Sequence, residues 1–254
     1  MSLQHKIVLI TGASSGIGEA TAHAFAQAGA RVIISSRTAS KLQALKMILE
    51  TDYHADVFCM PLDVRNRGAV EAAISELPKE WSSIDILVNN AGLALGLDKI
   101  QDADLDDWDC MIDTNVKGLM YVSHFVVKGM ISRNSGHIIN IGSISSFSIY
   151  PGGMGYCATK YAVRAISEGL KMDLHESAIR VTEIDPGMVD TEFSTVRFKG
   201  DKAKANAIYQ GFKPLQASDI ADSILYAVTC PPHVDVRQIF ICPTAQTTTG
   251  MVKK

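Results

Sequence analysis

Three side chains between Ser143 and Lys160 have the chemistry needed for proton transfer to or from a bound molecule. Tyr156 and Lys160 are four residues apart, so a helix would place the phenol and the ammonium on one face. A cation beside a phenol favours the phenolate and should lower the tyrosine pKa from its usual value of about 10. A tyrosine tuned in this way can exchange a proton with an alcohol or a carbonyl near neutral pH.

The Tyr-x-x-x-Lys spacing is weak when taken alone, because the sequence contains it twice. Tyr209 and Lys213 have the same separation, but no serine behind a strand accompanies them. Ser143, in contrast, directly follows the apolar run HIINIG. We therefore interpret Tyr209 as surface or lid packing, and the elements around Tyr156 must decide whether its pair is functional.

Composition narrows the class of protein. The 254 residues are 47% apolar, with a net charge of −3, and no apolar run reaches the roughly 18 residues of a membrane span. The first residues, MSLQHK, lead into a strand pattern without a signal peptide. Acidic and basic residues are interspersed, which predicts neither a nucleic-acid partner nor a membrane partner. Five scattered cysteines show no metal-ligand spacing, so a cytoplasmic protein without a metal site is expected.

A glycine loop follows the first apolar run. Lys6 to Ile10 is typical of a buried strand, and TGASSGIG leads from it into the helix-forming EATAHAFAQAG. Gly12 permits a tight turn, Gly16 allows the backbone to approach a pyrophosphate, and Gly18 allows the helix to pack closely on the strand. The helix N-terminus would attract the phosphates. A dinucleotide is predicted here; a glycine turn without a ligand is the alternative.

The end of the second strand indicates which coenzyme binds. A dinucleotide fold places the residue that reads the adenosine ribose about 20 residues beyond the glycine loop. This sequence has Arg37 and Thr38 there, with no acid before Glu50. An arginine can bind the 2′-phosphate of NADP in a bidentate manner, whereas a carboxylate would repel it. NADP is therefore favoured over NAD, unless Arg37 merely begins the next helix with a solvated side chain.

Three further polar residues need an explanation. Asp63 follows the third strand and could accept a hydrogen bond from the adenine amino group, or cap the next helix. Asn89 ends the fourth strand and could support the sheet, contact the cofactor, or both. Asn115 interrupts the apolar face of a long predicted helix that includes Trp108 and Met111. A buried amide in a helix is costly unless it is satisfied, so Asn115 should have a specific partner.

About seven apolar strands alternate with helices, which predicts a single Rossmann-like α/β domain over residues 1–254, with a doubly wound parallel sheet. Ligands bind such sheets at the carboxyl ends of the strands. The Pro/Gly-containing segment around 187–213 lies beyond such an end and is predicted to be a substrate lid. The polar tail TAQTTTGMVKK indicates no role of its own.

Taken in order, these motifs resemble those of a classical short-chain dehydrogenase/reductase across essentially the whole chain. The matching features are TGASSGIG, NNAG, Asn115, Ser143, Tyr156-x-x-x-Lys160 and Pro186–Gly187. The segments LDVRNR, MIDTNVKG and TEFSTVRFKGD are similar to those of NADP-dependent 3-hydroxy acid dehydrogenases. The similarity is looser after Ser143, where the loop at 144–155 would line the pocket in this family.

The resemblance implies a role for each matching residue. Tyr156 would be the general acid/base, Lys160 would lower its pKa and hold the nicotinamide ribose, and Ser143 would stabilise the substrate oxygen. Asn115 would hold a water that links Lys160 to solvent. The residues implied to bind NADP are Gly12, Ser14, Ser15, Gly16, Ile17, Gly18, Arg37, Thr38, Asp63, Val64, Asn89, Ala91, Tyr156, Lys160, Pro186, Gly187, Val189 and Thr191.

Several functions remain open at this stage. A 3-hydroxy acid needs a partner for its carboxylate, and Arg197 in the lid is one candidate, with Ser143 and Tyr150 as other substrate contacts; a lid or subunit salt bridge is the alternative for Arg197. Apolar side chains in the pocket loop would instead suit a carbonyl reductase for bulky ketones: Phe147, Ile149, Tyr150 and Met154. A nucleotide-sensing protein without catalysis is disfavoured by the complete Ser/Tyr/Lys set. The family resemblance also implies a homotetramer with the Asn115 and Tyr156 helices at an interface.

Overall fold

The computed structural model describes residues 2–253. Its central sheet contains seven strands, all parallel, in the order β3-β2-β1-β4-β5-β6-β9. The chain order reverses beside β1, which creates the topological switch point at which such sheets bind ligands. The strands are β1 (Ile7–Thr11), β2 (Arg31–Ser36), β3 (Val57–Pro61), β4 (Ile86–Asn89), β5 (Gly136–Ile141), β6 (Ile179–Pro186) and β9 (Gln238–Ile241).

The strand sequences explain why the sheet is parallel and covered. Every residue of β1 is buried, and its neighbours β2 and β4 are buried in the same continuous way. Strands that bury both faces read as unbroken β-branched runs rather than as alternating patterns. The sheet separates two apolar clusters: Val8 and Ile10 belong to the first, and Leu9 belongs to the second. The predicted doubly wound α/β fold is confirmed.

Helices cover both faces of the sheet. None of those within residues 2–253 is long and apolar enough to cross a bilayer. The helices are α1 (Gly16–Gln27), α2 (Ala39–Tyr53), α3 (Arg67–Ser75), α4 (Leu105–Ile112), α5 (Leu119–Arg133), α6 (Met154–Asp173), α7 (Phe193–Arg197), α8 (Lys202–Ile208) and α9 (Ala217–Thr229).

The long helix predicted around Asn115 is interrupted by a different helical form. A π-helical segment, Asp113–Gly118, joins α4 to α5. π-segments of this kind often occur at functional sites. The 3.6-residue spacing predicts Ile112 and Met120 on the same apolar face as Trp108 and Met111, but the first two are 43% and 49% exposed. The prediction of one regular amphipathic helix is therefore wrong at its centre.

Two predicted helix caps are also wrong. Helix α3 is capped by Asn66, whose Oδ1 accepts from Ala69 N, and not by Asp63. The sequence also predicts a helix over Ser218–Val228 with Ser218 as its cap, but α9 has Gln216 at its N-cap, in a reciprocal capping box with Asp219. In both cases a neighbouring side chain satisfies the first free backbone N–H groups.

The segment expected to be a lid is more ordered than its sequence suggested. It contains α7, α8 and a short parallel strand pair, β7 (Val189–Asp190) with β8 (Leu215–Gln216). Lys199 joins it to α4 through ion pairs with Asp104 at 2.9 Å and Asp107 at 3.0 Å. The polar tail folds back on itself through a bridge between Gln246 and Val252.

Candidate active site

A cavity of about 690 Å³ opens at the carboxyl ends of the strands, where parallel α/β sheets bind their ligands. It is lined by the glycine loop after β1 and by residues that follow β2, β3, β4, β5 and β6. The lid segment and the polar tail complete its walls. The fold therefore brings residues distant in sequence to one edge of the sheet.

The glycine loop has the shape of a phosphate cradle. Gly12 and Gly16 have φ values of 65° and 57°, a conformation that other residues rarely adopt. A Cβ on Gly12 would lie 2.9 Å from the backbone of Ala91. Gly12, Ser14, Ser15, Gly16 and Ile17 all line the cavity at the start of α1. These features fit a dinucleotide pyrophosphate, which needs close backbone approach and a helix N-terminus.

Gly18 and Asn89, both predicted to contact the cofactor, do not line the cavity. A Cβ on Gly18 would lie 2.3 Å from Gly12 O, so this glycine allows α1 to pack on the loop. Asn89 is buried, and its Nδ2 donates to Ser123 Oγ at 2.8 Å and to Asn140 Oδ1 at 2.9 Å. Asn89 therefore supports the sheet. The following residue, Asn90, lines the cavity instead.

Two arginines lie at the end of the cavity beyond β2 and β3. Arg37 is exposed beside Thr38 and has no ion-pair partner within residues 2–253. Arg65 was not predicted as a site residue; its Nη2 donates to Asp63 Oδ2 at 2.6 Å, and its Nε contacts both carboxylate oxygens. This hydrogen bond is the main cause that lowers the pKa of Asp63. The edge is basic enough to receive a phosphate.

Ser143, Tyr156 and Lys160 meet on one wall of the cavity, as the sequence predicted. Tyr156 and Lys160 lie in the first two turns of α6, with Lys160 Nζ 5.8 Å from the centre of the Tyr156 ring. Lys160 Nζ donates to Ile141 O at 2.8 Å. Ser143 caps the short 3₁₀ turn Ile144–Ser146 and accepts from Ser145 N. All three side chains are at most 8% exposed.

The expected lowering of the tyrosine pKa is wrong for the chain alone. Burial raises the pKa of Tyr156 above its ordinary value, and Tyr150 raises it further. The Ser143 hydroxyl and the Arg197 charge act against this rise. Burial also lowers the pKa of Lys160 to about 8, although Asp185 and Glu183 raise it. Desolvation disfavours the charged form of each side chain and is the largest cause of both shifts.

Asn115 does not line the cavity but lies directly behind it. Its Oδ1 accepts from Leu93 N at 2.9 Å, and its Nδ2 donates to Leu93 O at 2.8 Å and to Thr159 Oγ1 at 3.0 Å. The buried amide is thereby satisfied, as the sequence required. A Cβ on Gly92 would lie 3.3 Å from Asn115 Oδ1 and 3.8 Å from Lys160 Nζ. Asn115 thus fixes the loop that separates it from the lysine.

Arg197 projects from α7 towards the tyrosines. Its guanidinium carbon is 5.3 Å from the ring centres of both Tyr156 and Tyr150, and Nη2 donates to Tyr150 Oη. Arg197 has no carboxylate partner within residues 2–253, and its buried Nε has no hydrogen-bond partner there. The predicted salt-bridge alternative within the chain is absent from this part of the structure. A cation with at least one unused donor therefore lies at the cavity beside Tyr150 and Tyr156.

The other predicted residues divide between the cavity and the surface. Ala91, Val64, Pro186, Gly187, Val189 and Thr191 all line the cavity, as does Tyr150. The apolar loop residues Phe147, Ile149 and Met154 do not, and Phe147 instead packs edge-to-face on Phe240. An apolar pocket for bulky ketones is therefore not built from these three side chains.

Besides Arg65 and Asn90, lining residues from the segment at 187–213 and from the tail were missed. Tyr209, interpreted as packing, does hold the lid through Val189 O and Ser194 Oγ, both at 2.8 Å, but it also lines the cavity. The tail contributes lining residues too, and Gln246 Oε1 accepts from Met188 N at 2.8 Å. These contacts join segments about 20 to 60 residues apart, and no local pattern announces them.

Residues 6–202 match the family model of the short chain dehydrogenases, and the chain belongs to this family. The resemblance predicted from the motifs is confirmed. The chain is 47% identical to the NADP-dependent 3-hydroxy acid dehydrogenase of Escherichia coli O6:H1 over 246 residues, 96% of this chain and 98% of the relative. It is 44% identical to sulfoacetaldehyde reductase 2 of Chromohalobacter salexigens over 241 residues, covering 94% and 95%.

The solved structure of a serine dehydrogenase in its closed form, complexed with NADP⁺, has the same fold. It superposes with a TM-score of 0.92 and shares 46% sequence identity. The match covers 98% of this chain and 99% of that chain.

Proposed function

We propose that this protein interconverts a short 3-hydroxy acid and its carbonyl form with NADP(H) as coenzyme. The three similar proteins support this proposal, because two are named as NADP-linked dehydrogenases of 3-hydroxy acids or serine. The observation that carries it is Arg197, a cation that lies beside Tyr156 and has no carboxylate partner among residues 2–253. Sulfoacetaldehyde, named in the third relative, is also an anion.

The glycine loop and Arg37 would hold NADP, with the pyrophosphate at the start of α1 and the 2′-phosphate near Arg37. Asp63, Val64, Ala91, Pro186, Gly187, Val189 and Thr191 would complete the coenzyme site. The coenzyme, when bound, supplies the hydride acceptor or donor. Arg65 is a second basic side chain at the phosphate end, where its pairing with Asp63 prevents that carboxylate from repelling the phosphate.

Tyr156 would take the hydroxyl proton during oxidation and return it during reduction. Ser143 would hydrogen-bond the substrate oxygen, where negative charge develops. The ammonium of Lys160 would favour the phenolate and hold the nicotinamide ribose, and Asn115 would position a water that exchanges protons with Lys160. Tyr156 would thus move the proton of the substrate hydroxyl, while the bound coenzyme would supply the hydride chemistry.

Arg197 would bind the carboxylate of the substrate. A hydrogen bond to a charged group contributes about 1.5–3 kcal/mol, which corresponds to roughly a 10- to 100-fold change in affinity. We expect Arg197→Met to raise KM for a 3-hydroxy acid by about this factor and to leave its methyl ester nearly unaffected. Steady-state kinetics with both compounds tests the assignment. Arg164→Met is the matched control, because Arg164 packs on Phe147 outside the cavity. Equal effects of Arg197→Met on acid and ester would refute it.

The segment at 187–213 would act as the substrate lid, since it carries Arg197 and its own fold is held by Tyr209. Its ion pairs through Lys199 join it to α4. A lid of this kind would exclude water once the substrate is bound. Protection of these amides from hydrogen exchange should increase when NADP and a hydroxy acid are both present.

A homotetramer in the cytoplasm is proposed for the assembled protein. Exposed apolar side chains support the assembly, with Ile112 and Met120 on the Asn115 helix and Tyr161 and Met172 on α6. Burying such side chains between subunits would be favourable. Five free cysteines agree with a reducing compartment. Light scattering of the purified protein and fractionation of the cells that produce it test these two proposals.

A further inference from the structure

Two carboxyl groups are buried side by side behind the proposed catalytic residues. Glu183 and Asp185 are two residues apart on β6, so their side chains project from the same face of the strand, and they are 2% and 0% exposed. A Cβ on Gly142, in the chain that continues β5, would lie 2.2 Å from Asp185 Oδ1 and 2.6 Å from Glu183 Oε1. The two carboxyls therefore meet against the backbone immediately before Ser143.

Asp185 has the contacts of an ionised carboxylate. Its Oδ1 accepts from Ser143 N at 2.9 Å and lies 3.2 Å from Ser146 Oγ, a hydroxyl that also donates to Ser143 O at 2.6 Å. Its Oδ2 accepts from Gln238 Nε2 on β9 at 2.6 Å. Two N–H donors therefore converge on one side chain that can only accept when ionised. Asp185 therefore fixes the backbone from which the Ser143 hydroxyl projects.

Glu183, in contrast, has the surroundings expected of a protonated carboxyl group. Its Oε1 is buried and accepts no hydrogen bond from an N–H or O–H donor within residues 2–253. An ionised carboxylate without a hydrogen-bond donor would be strongly destabilised in this buried position. The negative charge of Asp185 beside it makes the ionisation of Glu183 still less favourable. Burial, followed by the Asp185 charge, raises the pKa of Glu183. The proton retained by Glu183 can be donated in a hydrogen bond to Asp185.

The surroundings contain two cations that act on this pair. Lys160 and Lys171 of α6 both interact electrostatically with Glu183. Gln238 from β9 and Gly142 beyond β5 also contact the pair, and Asn140, which lies opposite Glu183 in β5, donates its amide to Ser167 of α6 at 3.0 Å. Lys160 contacts the same turn through Ile141 O. A single negative charge on the pair would balance the single ammonium of Lys160.

We propose that Glu183 and Asp185 share one proton, and that Asp185, which stays ionised in this arrangement, is the positioning residue for Ser143 and Lys160. Protonated Glu183 donates to ionised Asp185; Asp185 then holds the Ser143 backbone in place and provides one negative charge near Lys160. This inference rests on the proposed function, because Ser143 and Lys160 are taken there to polarise the substrate and to tune Tyr156. The pair itself can be detected without turnover.

Two matched substitutions of a carboxyl by an amide should give opposite results. Glu183→Gln keeps a neutral donor towards Asp185, so kcat should stay within about twofold and its pH profile should not move. Asp185→Asn removes the negative charge. It also turns an NH₂ group towards N–H donors that the carboxylate accepted from, those of Ser143 and Gln238. It should lower kcat by about tenfold or more, since small displacements of reacting groups are costly, while KM for NADP changes little. Its pH-dependent limb should move to lower pH, because a negative charge near Lys160 and Tyr156 is lost.

Infrared spectroscopy of the wild-type protein at neutral pH provides the test that is independent of activity. A protonated-carboxyl band should be present in the wild type and absent from Glu183→Gln. Absence of this band from the wild type would overturn the shared proton, even if hydroxy acids prove to be substrates. Equal losses of kcat in both variants, or an unshifted pH profile in active Asp185→Asn, would overturn the positioning role. If no hydroxy acid is oxidised but the band is found, the proposed substrate fails and the carboxyl pair stands.

Discussion

His137 should make the folded protein sensitive to acid. It lies in β5 and is 3% exposed. Thr182 Oγ1 donates to Val236 O, so it accepts from His137 Nε2 at 2.8 Å, which leaves Nδ1 as the unprotonated nitrogen. Nδ1 is buried without a partner within residues 2–253. Burial, followed by the charge of Arg180, lowers the pKa of His137 to about 3.

The sign and size of the effect follow from this lowered pKa. An unfolded histidine titrates near 6.5, so below that pH the unfolded chain binds a proton that the folded chain does not. The free energy of unfolding therefore falls as the pH falls, by about 1.4 kcal/mol per unit for this side chain. The contribution is fully present above pH 6.5, and about 2 kcal/mol of it should be lost at pH 5.

His137→Leu removes this dependence. At pH 8 the free energy of unfolding of the variant should be about 1 kcal/mol lower than that of the wild type, which is the usual net contribution of one hydrogen bond. Between pH 8 and pH 5 the free energy of unfolding should fall by about 2 kcal/mol less in the variant than in the wild type. Urea unfolding at fixed protein concentration measures both quantities, with the exposed His124→Leu as control. Identical acid dependence in His137→Leu and wild type would refute the reasoning, as would a His137 resonance titrating near pH 6.

Four other substitutions test the proposed site and the packing of its glycine loop. Tyr156→Phe should lower turnover by about a hundredfold or more, whereas the affinity for NADPH measured by fluorescence should stay within a few-fold; retained turnover would exclude Tyr156 as the acid/base. Arg37→Asp should reverse the ratio of kcat/KM for NADP and NAD, and an unchanged ratio would exclude Arg37 as the residue that reads the phosphate. Gly18→Ala places a Cβ 2.3 Å from Gly12 O and should cost about 1–3 kcal/mol of stability. Gly169→Ala in α6, where nothing lies within 4 Å, should stabilise by about 0.5–1 kcal/mol; a thermal shift of the same sign in both would contradict the packing argument.

The sheet and the main site could be predicted because they depend on local features. Buried parallel strands are continuous apolar runs, and the side chains proposed for catalysis either follow such a run, as Ser143 does, or lie at the start of a helix, as Tyr156 and Lys160 do. Ser143, Tyr156 and Lys160 were located in this way. The coenzyme preference followed from one charged position, Arg37. These inferences needed the order of the elements but not their packing.

The predictions that were wrong or missing concern residues whose position or pKa depends on how segments distant in sequence pack together. Asn89 and Asn90 are adjacent, and the sequence could not show which amide faces the cavity; the structure gives that position to Asn90. Tyr209 and Gln246 line the cavity through contacts between distant segments. The direction of the Tyr156 pKa shift depends on burial, which the Tyr/Lys spacing does not report.

The π-helical segment makes chain length as important as residue type in this part of the fold. One extra residue in a turn rotates everything before it by about 100° relative to everything after it. The amide of Asn115 lies at that offset, where it holds both backbone groups of Leu93. Many substitutions between Asp113 and Gly118 would leave this rotational offset unchanged. Deletion of one residue would instead convert the segment to a regular α-helix and turn Asn115 away from the loop that contains Leu93. An engineered shortening of this helix would thus make the helix more regular but would disrupt the contacts of Asn115 that order the site.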